Sequence, residues 1–167
     1  MTLSQNTNGW QVELNRNEYF RGAKAGFTHC CNNICKGRKD RRGVNSFDSH
    51  VFGSVAEYAF ALAIGGVWWG EREGHFNKAD VSPKWQVRWA NSPQYGLVQK
   101  HEDNRDWSGV LCSGRSNVIT IHGWMPFDEV NESNYNHFTA TLFPFVEWDG
   151  LLIPEQNKVH PIPFVEI

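Results

Sequence analysis

Apolar residues recur at Phe52, Val55, Ala56, Ala59 and Ala63, the spacing that gathers side chains on one face of a helix, and Gly65-Gly66 closes the run. Between Val51 and Gly70 the single charge is Glu57, set on an otherwise apolar, alanine-rich stretch. Upstream, Val12 to Ala25 has a mixed pattern compatible with another helix. Phe27 to Ser49 is dense in Asn, Gly, Lys and Arg and reads as a polar, basic loop at about 28–49. Past the glycine pair the period shortens. Val67-Trp68-Trp69 starts a sheet, and short strands are expected at Ala79–Val81, Trp85–Ala90, Gly96–Lys100, Val110–Cys112 and Val118–Trp124. Asn91-Ser92-Pro93 and Ser113-Gly114-Arg115-Ser116 carry turn chemistry between them. Asp128 to His137 reads as a loop or short helix, and Leu151–Pro154 as a last edge strand. The pattern is α+β, helices first and then an antiparallel-rich sheet.

No repeat, proline-rich linker or low-complexity tract divides the 167 residues, so a single domain over 1–167 is expected. Eight Trp and eleven Phe are a heavy aromatic load, and filling a core is their first use. The net charge of −2 excludes attraction of nucleic acid by the whole surface, so any such affinity needs a local patch. Val51 to Gly70 approaches the length of a membrane span, but Glu57, three interior glycines and many alanines argue against one. The first residues lack a basic start and an apolar run, so no secretory signal is expected. A cytoplasmic protein with four reduced cysteines follows as the expectation.

The candidate chemistry lies around the Trp85–Ala90 strand. Alternation sends Trp85, Val87 and Trp89 to one face and sets Gln86 and Arg88 side by side on the other. If Asp80 lies at the mouth of the same sheet and Glu57 on the helix beside it, four polar groups converge. Carboxylate and amide oxygens suit Mg²⁺ or Mn²⁺. Such an ion polarises a phosphoryl oxygen and lowers the pKa of a bound water.

Gly53-Ser54-Val55-Ala56-Glu57, then Asp80, then Gln86-Val87-Arg88, with Gly123-Trp124 later, resembles the PD-(D/E)XK nuclease superfamily, and within it small phage-encoded proteins. The likeness covers roughly Gly53 to Trp124. It implies a restriction-endonuclease-like mixed sheet flanked by helices, a metal held by Asp80, Gln86 and Glu57, and a nucleic acid as substrate. Gln86 stands where the superfamily usually has Glu, and it offers a carbonyl oxygen without charge. Arg88 stands where the superfamily has its catalytic Lys, and a guanidinium stays protonated, so it orients or stabilises and is a poor base. The expected activity is metal-dependent phosphodiester hydrolysis in a virus-encoded protein. The alternative is a catalytically inactive nuclease-fold protein that binds DNA or a protein partner.

Each residue also has a structural reading: Glu57 as a surface or salt-bridged acid, Asp80 as a turn former, Gln86 and Arg88 as a solvent-facing strand pair. The basic run Lys36-Gly37-Arg38-Lys39-Asp40-Arg41-Arg42 is a solvated loop or a phosphate grip, with Asn32, Asn33 and Asn45 near it. His75 and His101 are candidates for proton transfer. His29, Cys30, Cys31 and Cys35 form an incomplete zinc pattern that Cys112 and His122 complete only if the fold brings them near. Trp107 or Trp148, if exposed, suits base stacking. The partners expected are nucleic acid, DNA in the first place, and a second copy as a homodimer, with no membrane.

Overall fold

Asn15 opens the first helix. Its side-chain oxygen accepts from the backbone N–H groups of Asn17 and Glu18, and the Glu18 carboxylate accepts from the Asn15 N–H at 2.8 Å. This capping box satisfies donors that a helix start leaves orphaned. The computed structural model describes residues 1–37, 47–71, 78–92, 96–97, 103–129 and 142–155. Helix α1 spans Arg16–Cys35 and unwinds at Lys36 and Gly37, the glycine taking φ 63°. Helix α2 spans Phe47–Ile64. The basic loop expected at about 28–49 is therefore corrected at both ends, since Thr28–Cys35 continue α1 and Phe47–Ser49 begin α2. No glycine or proline interrupts Thr28–Cys35, and buried Cys30 anchors that stretch, so packing outweighs the weak helix propensity of Asn32 and Asn33.

The two helices touch backbone to backbone. Gly22 and Gly26, one turn apart, face α2 together with buried Ala25. A Cβ on Gly26 would stand 2.3 Å from the His50 carbonyl oxygen and 2.6 Å from Val51 Cα, and one on Gly22 would stand 2.9 Å from Val55 Cα. Helix α2 is thus buried on two sides. Val51, Ser54 and Val55 lie toward α1, while Ala56, Ala59, Phe60 and Ala63 join the core on the sheet. That double burial explains why so few of its residues are polar.

The main sheet has five strands in the order β1-β2-β5-β4-β3, formed by Thr2–Asn6, Gly9–Glu13, Val118–Pro126, Ser108–Ser113 and Trp85–Ala90. β3 and β4 run parallel and the other pairs antiparallel. The hairpin β1–β2 is an addition to the elements expected from the sequence. Beyond β3, Val81 bridges Trp85 and Trp68 bridges Val81, so the expected strand at Ala79–Val81 shrinks to one rung. The strand expected from Gly96 leaves Gly96 and Leu97 outside any strand, with 98–100 outside the described residues. Phe145–Trp148 (β6) and Leu151–Pro154 (β7) make a separate hairpin, so the last expected strand has a partner.

The core fills the side of the sheet facing α2. Val12, Ile119, Ile121, Val110, Cys112, Trp85, Val87 and Trp124 pack there with Val55, Ala59 and Phe60, and Phe145 and Leu152 of the small hairpin join them. Phe60 meets Trp85 edge-on at 5.6 Å, and Phe52 stacks on Trp89 at 5.5 Å. A smaller cluster of Leu97, Leu111 and Leu142 sits on the opposite face, beside Ala90 and Met125. Among the described residues no helix is long and apolar enough to cross a membrane.

The helix contact separates two glycines by their surroundings. Gly26→Ala should lower stability by about 1–3 kcal/mol, because the new carbon meets backbone that cannot turn away. Gly53→Ala, in a helical position with nothing within 4 Å, should raise it by about 0.5–1 kcal/mol. Urea unfolding of the two variants checks both signs.

Candidate functional site at the edge of the sheet

β3 is an edge strand, and an edge strand leaves backbone donors without a neighbour. Asp80 supplies one. Its Oδ2 accepts the Val87 N–H at 2.8 Å and the Gln86 Nε2 at 2.6 Å. The Asp80 carbonyl accepts from the Trp69 N–H at 3.2 Å, and Val81 exchanges both backbone bonds with Trp85. The structure therefore brings Asp80 and Gln86 into direct contact, and the aspartate does at this edge what another strand would do.

Two residues along the same face, Arg88 reaches a partner that the sequence reading passes over. Its guanidinium donates to both carboxylate oxygens of Asp103, at 2.6 and 2.5 Å. The pair is dry, with side chains 15% and 6% exposed. No spacing rule points to Asp103, which lies fifteen residues beyond Arg88 and past the strand expected at Gly96–Lys100.

Glu57 has a partner on the helix side of the sheet. α2 packs on the Trp85 and Val87 face, and the Glu57 carboxylate accepts the indole N–H of Trp68 at 3.1 Å. Trp68 in turn stacks on Tyr58 at 4.8 Å. The field of Glu57 reaches Cys112 on that face, whose thiol is held far above its ordinary range, first by burial and then by this carboxylate. Gln86 and Arg88 lie on the opposite face of β3, beyond the strand from the helix. Asp80 thus meets Gln86, Arg88 meets Asp103, and Glu57 meets Trp68.

Lys36 is exposed at the end of α1. Arg38, Lys39, Arg41, Arg42, Asn45, His75 and His101 lie outside the described residues. His29 Nε2 meets the Gly70 carbonyl at 2.7 Å, Cys30 is buried, Cys35 is exposed, and all four cysteines are free thiols. Among the described residues no group of three or more His, Cys, Asp or Glu could hold a metal ion. Trp148 is 69% exposed, while Trp107 is half-buried.

A second polar group lies across β4 and β5. The register slips between Leu111 and Cys112, leaving His122 as the extra residue of a bulge beside Gly123, whose φ is 151°. The slip keeps both Ile121 and Trp124 in the core and turns His122 toward Ser113. His122 Nδ1 meets the Asn8 carbonyl at 2.8 Å, and Nε2 meets Ser113 Oγ at 2.7 Å. A carbonyl only accepts, so Nδ1 carries the proton and Nε2 accepts from the hydroxyl. Burial lowers the His122 pKa, with the Asn8 bond opposing. Comparison of the chain with protein-family models, curated proteins and solved structures finds no match in any of the three.

Two measurements follow from these partnerships. Asp103→Asn should destabilise by about 3–5 kcal/mol, since it strands the Arg88 charge, and Arg88→Met combined with Asp103→Leu should recover most of that loss. Chemical unfolding of the single and double variants decides it. Because folding holds His122 below the usual histidine value, the unfolded chain takes up that proton first on acidification. Its contribution is complete above about pH 6.5 and is lost as pH falls toward the folded value. Unfolding midpoints should decline from pH 7.5 to pH 5, and His122→Gln should flatten the decline.

Proposed function

We propose that this chain is a nuclease-fold binding protein of the PD-(D/E)XK type that grips a nucleic-acid backbone, DNA in the first place, without cutting it. The observation that carries the non-cutting half is the mutual engagement of the polar row: each of Asp80, Gln86, Arg88 and Glu57 is held by another protein group. The arrangement of the chain supports the type. An acid-bearing helix leads to the Trp68 and Val81 rungs, then to the strand bearing Gln86 and Arg88, and then to a parallel neighbour in a mixed sheet.

A Mg²⁺ or Mn²⁺ ion was the expected cofactor, and the residues present are a poor match for it. Hard cations take one or two carboxylates together with waters and substrate phosphates. Here one carboxylate, Asp80, gives Oδ2 to two N–H donors, and Gln86 turns its NH₂ toward that oxygen. The Asp103 carboxylate that meets this face is engaged by the Arg88 guanidinium, and the Glu57 carboxylate accepts from Trp68. We therefore assign no hydrolytic step to this set.

For the grip, Lys36 stands exposed where α1 ends and opens a run with five cations among seven residues, Lys36, Arg38, Lys39, Arg41 and Arg42. Such a run neutralises phosphates without reading bases. It gives a chain of net charge −2 the local patch it needs.

Fluorescence anisotropy with a labelled DNA duplex tests the reading. Binding should weaken with salt, and each cation of the run replaced by Gln should reduce the slope of log K against log salt by about 0.9, equally for different sequences. Incubation with Mg²⁺ or Mn²⁺ should leave the duplex intact. Cleavage that disappears in Asp80→Ala would establish the hydrolytic alternative instead. Absence of affinity at low salt would remove nucleic acid as the partner.

A further inference from the structure

We infer that the outer face of α1 is a docking surface for a partner protein's amphipathic helix with apolar anchors and acidic flanks. Helix α1 has two faces of opposite character. Gly22, Ala25 and Gly26 fit against α2, whereas Phe20, Phe27 and Ile34 are 67%, 52% and 56% exposed. Phe47, 51% exposed at the start of α2, extends the patch by meeting Phe27 edge-on at 6.0 Å. Apolar groups gathered on one surface in this way mark an interaction site more often than chance exposure.

The spacing selects the shape of the occupant. Phe20, Phe27 and Ile34 stand seven residues apart. Seven residues return a helix to nearly the same direction, drifting only about 20° per step, so the three form one seam about 21 Å long. A straight seam of that period is what a second helix covers, with its own apolar positions entering between the rings.

The charges select its chemistry. Arg16 and Lys24 lie one turn to either side of Phe20, and Lys36 follows Ile34, all three exposed. Glu18 is the lone acid of α1, and it is bound to the Asn15 N–H and the Met1 ammonium. Burial works against its ionisation, yet these bonds hold its pKa below the ordinary value, so it stays committed there. A second copy of this helix would bring cations to cations. A helix flanked by Glu or Asp would meet them with opposite charge. The seam shares Lys36 with the basic run, but Phe20, Lys24 and Phe27 lie outside that run, so this inference does not depend on nucleic-acid binding.

The probe is a synthetic helical peptide with Leu at the seam positions and Glu at the flanks, titrated onto the full chain by anisotropy. A Lys-flanked version and a scrambled sequence serve as controls. The Glu peptide should bind at least about tenfold more tightly than either control and weaken with salt. Phe20→Ser with Phe27→Ser should abolish binding while circular dichroism stays unchanged. Lys24→Glu should shift preference toward the Lys-flanked peptide, which keeps the test decisive if the serine variant unfolds. Equal affinity for all three peptides, or no effect of Lys24→Glu, overturns the inference. So does self-association in light scattering that Phe27→Ser removes, which would assign the seam to a second copy. Binding of anionic vesicles without binding of the Glu peptide would assign it to a membrane surface and overturn it equally.

Discussion

The distance between two helix backbones sets the rest of this structure. Gly22 and Gly26 let α1 approach until the space a methyl group would need is filled by His50 and Val51 backbone atoms. That approach fixes where α2 lies, and α2 carries the side chains that close the core over the sheet. Phe60 meets Trp85, and Phe52 meets Trp89, only because α2 is held at that depth. Helix α2 also brings Glu57 to Trp68, which links the helix layer to the rungs beyond β3. Small residues on one helix thus bear on the placement of aromatic residues two elements away.

What could be read from sequence follows the strength of local periodicity. The core of α2 and strands β3, β4, β5 and β7 were legible because their apolar spacing or alternation is clean. The second half of α1 was not, since Asn32, Asn33 and Lys36 imitate a loop and only burial of Cys30 and the glycine contact keep it helical. The β1–β2 hairpin is short and polar, and its one signal was the Asn8-Gly9 pair at the turn. The alternation that separates Gln86 and Arg88 from Trp85 and Val87 was readable from the strand alone. Which partner each polar residue chooses was not. Arg88 pairs with Asp103, fifteen residues on in the chain, and His122 reaches Ser113 through a bulge that has no composition signature beyond Gly123.

The polar row illustrates how one set of residues serves different physics according to its surroundings. A carboxylate shortly before a strand, with an amide and a guanidinium on one face of that strand, suggests a cation site when the chain is read linearly. In the fold, the carboxylate completes an unfinished hydrogen-bond ladder, and the guanidinium is neutralised by a dry aspartate. Both arrangements stabilise the margin of the sheet.

The closure of that margin has a wider consequence. Asp80, Val81 and Trp68 terminate the ladder on the β3 side, and the opposite margin is the short Thr2–Asn6 strand, whose residues are mostly polar and exposed. At the five-stranded sheet a foreign strand therefore meets a blunted rim on one side and a brief, hydrophilic one on the other. Blunting the five-stranded sheet in this way keeps its unfinished hydrogen bonds apart from the greasy ridge on α1.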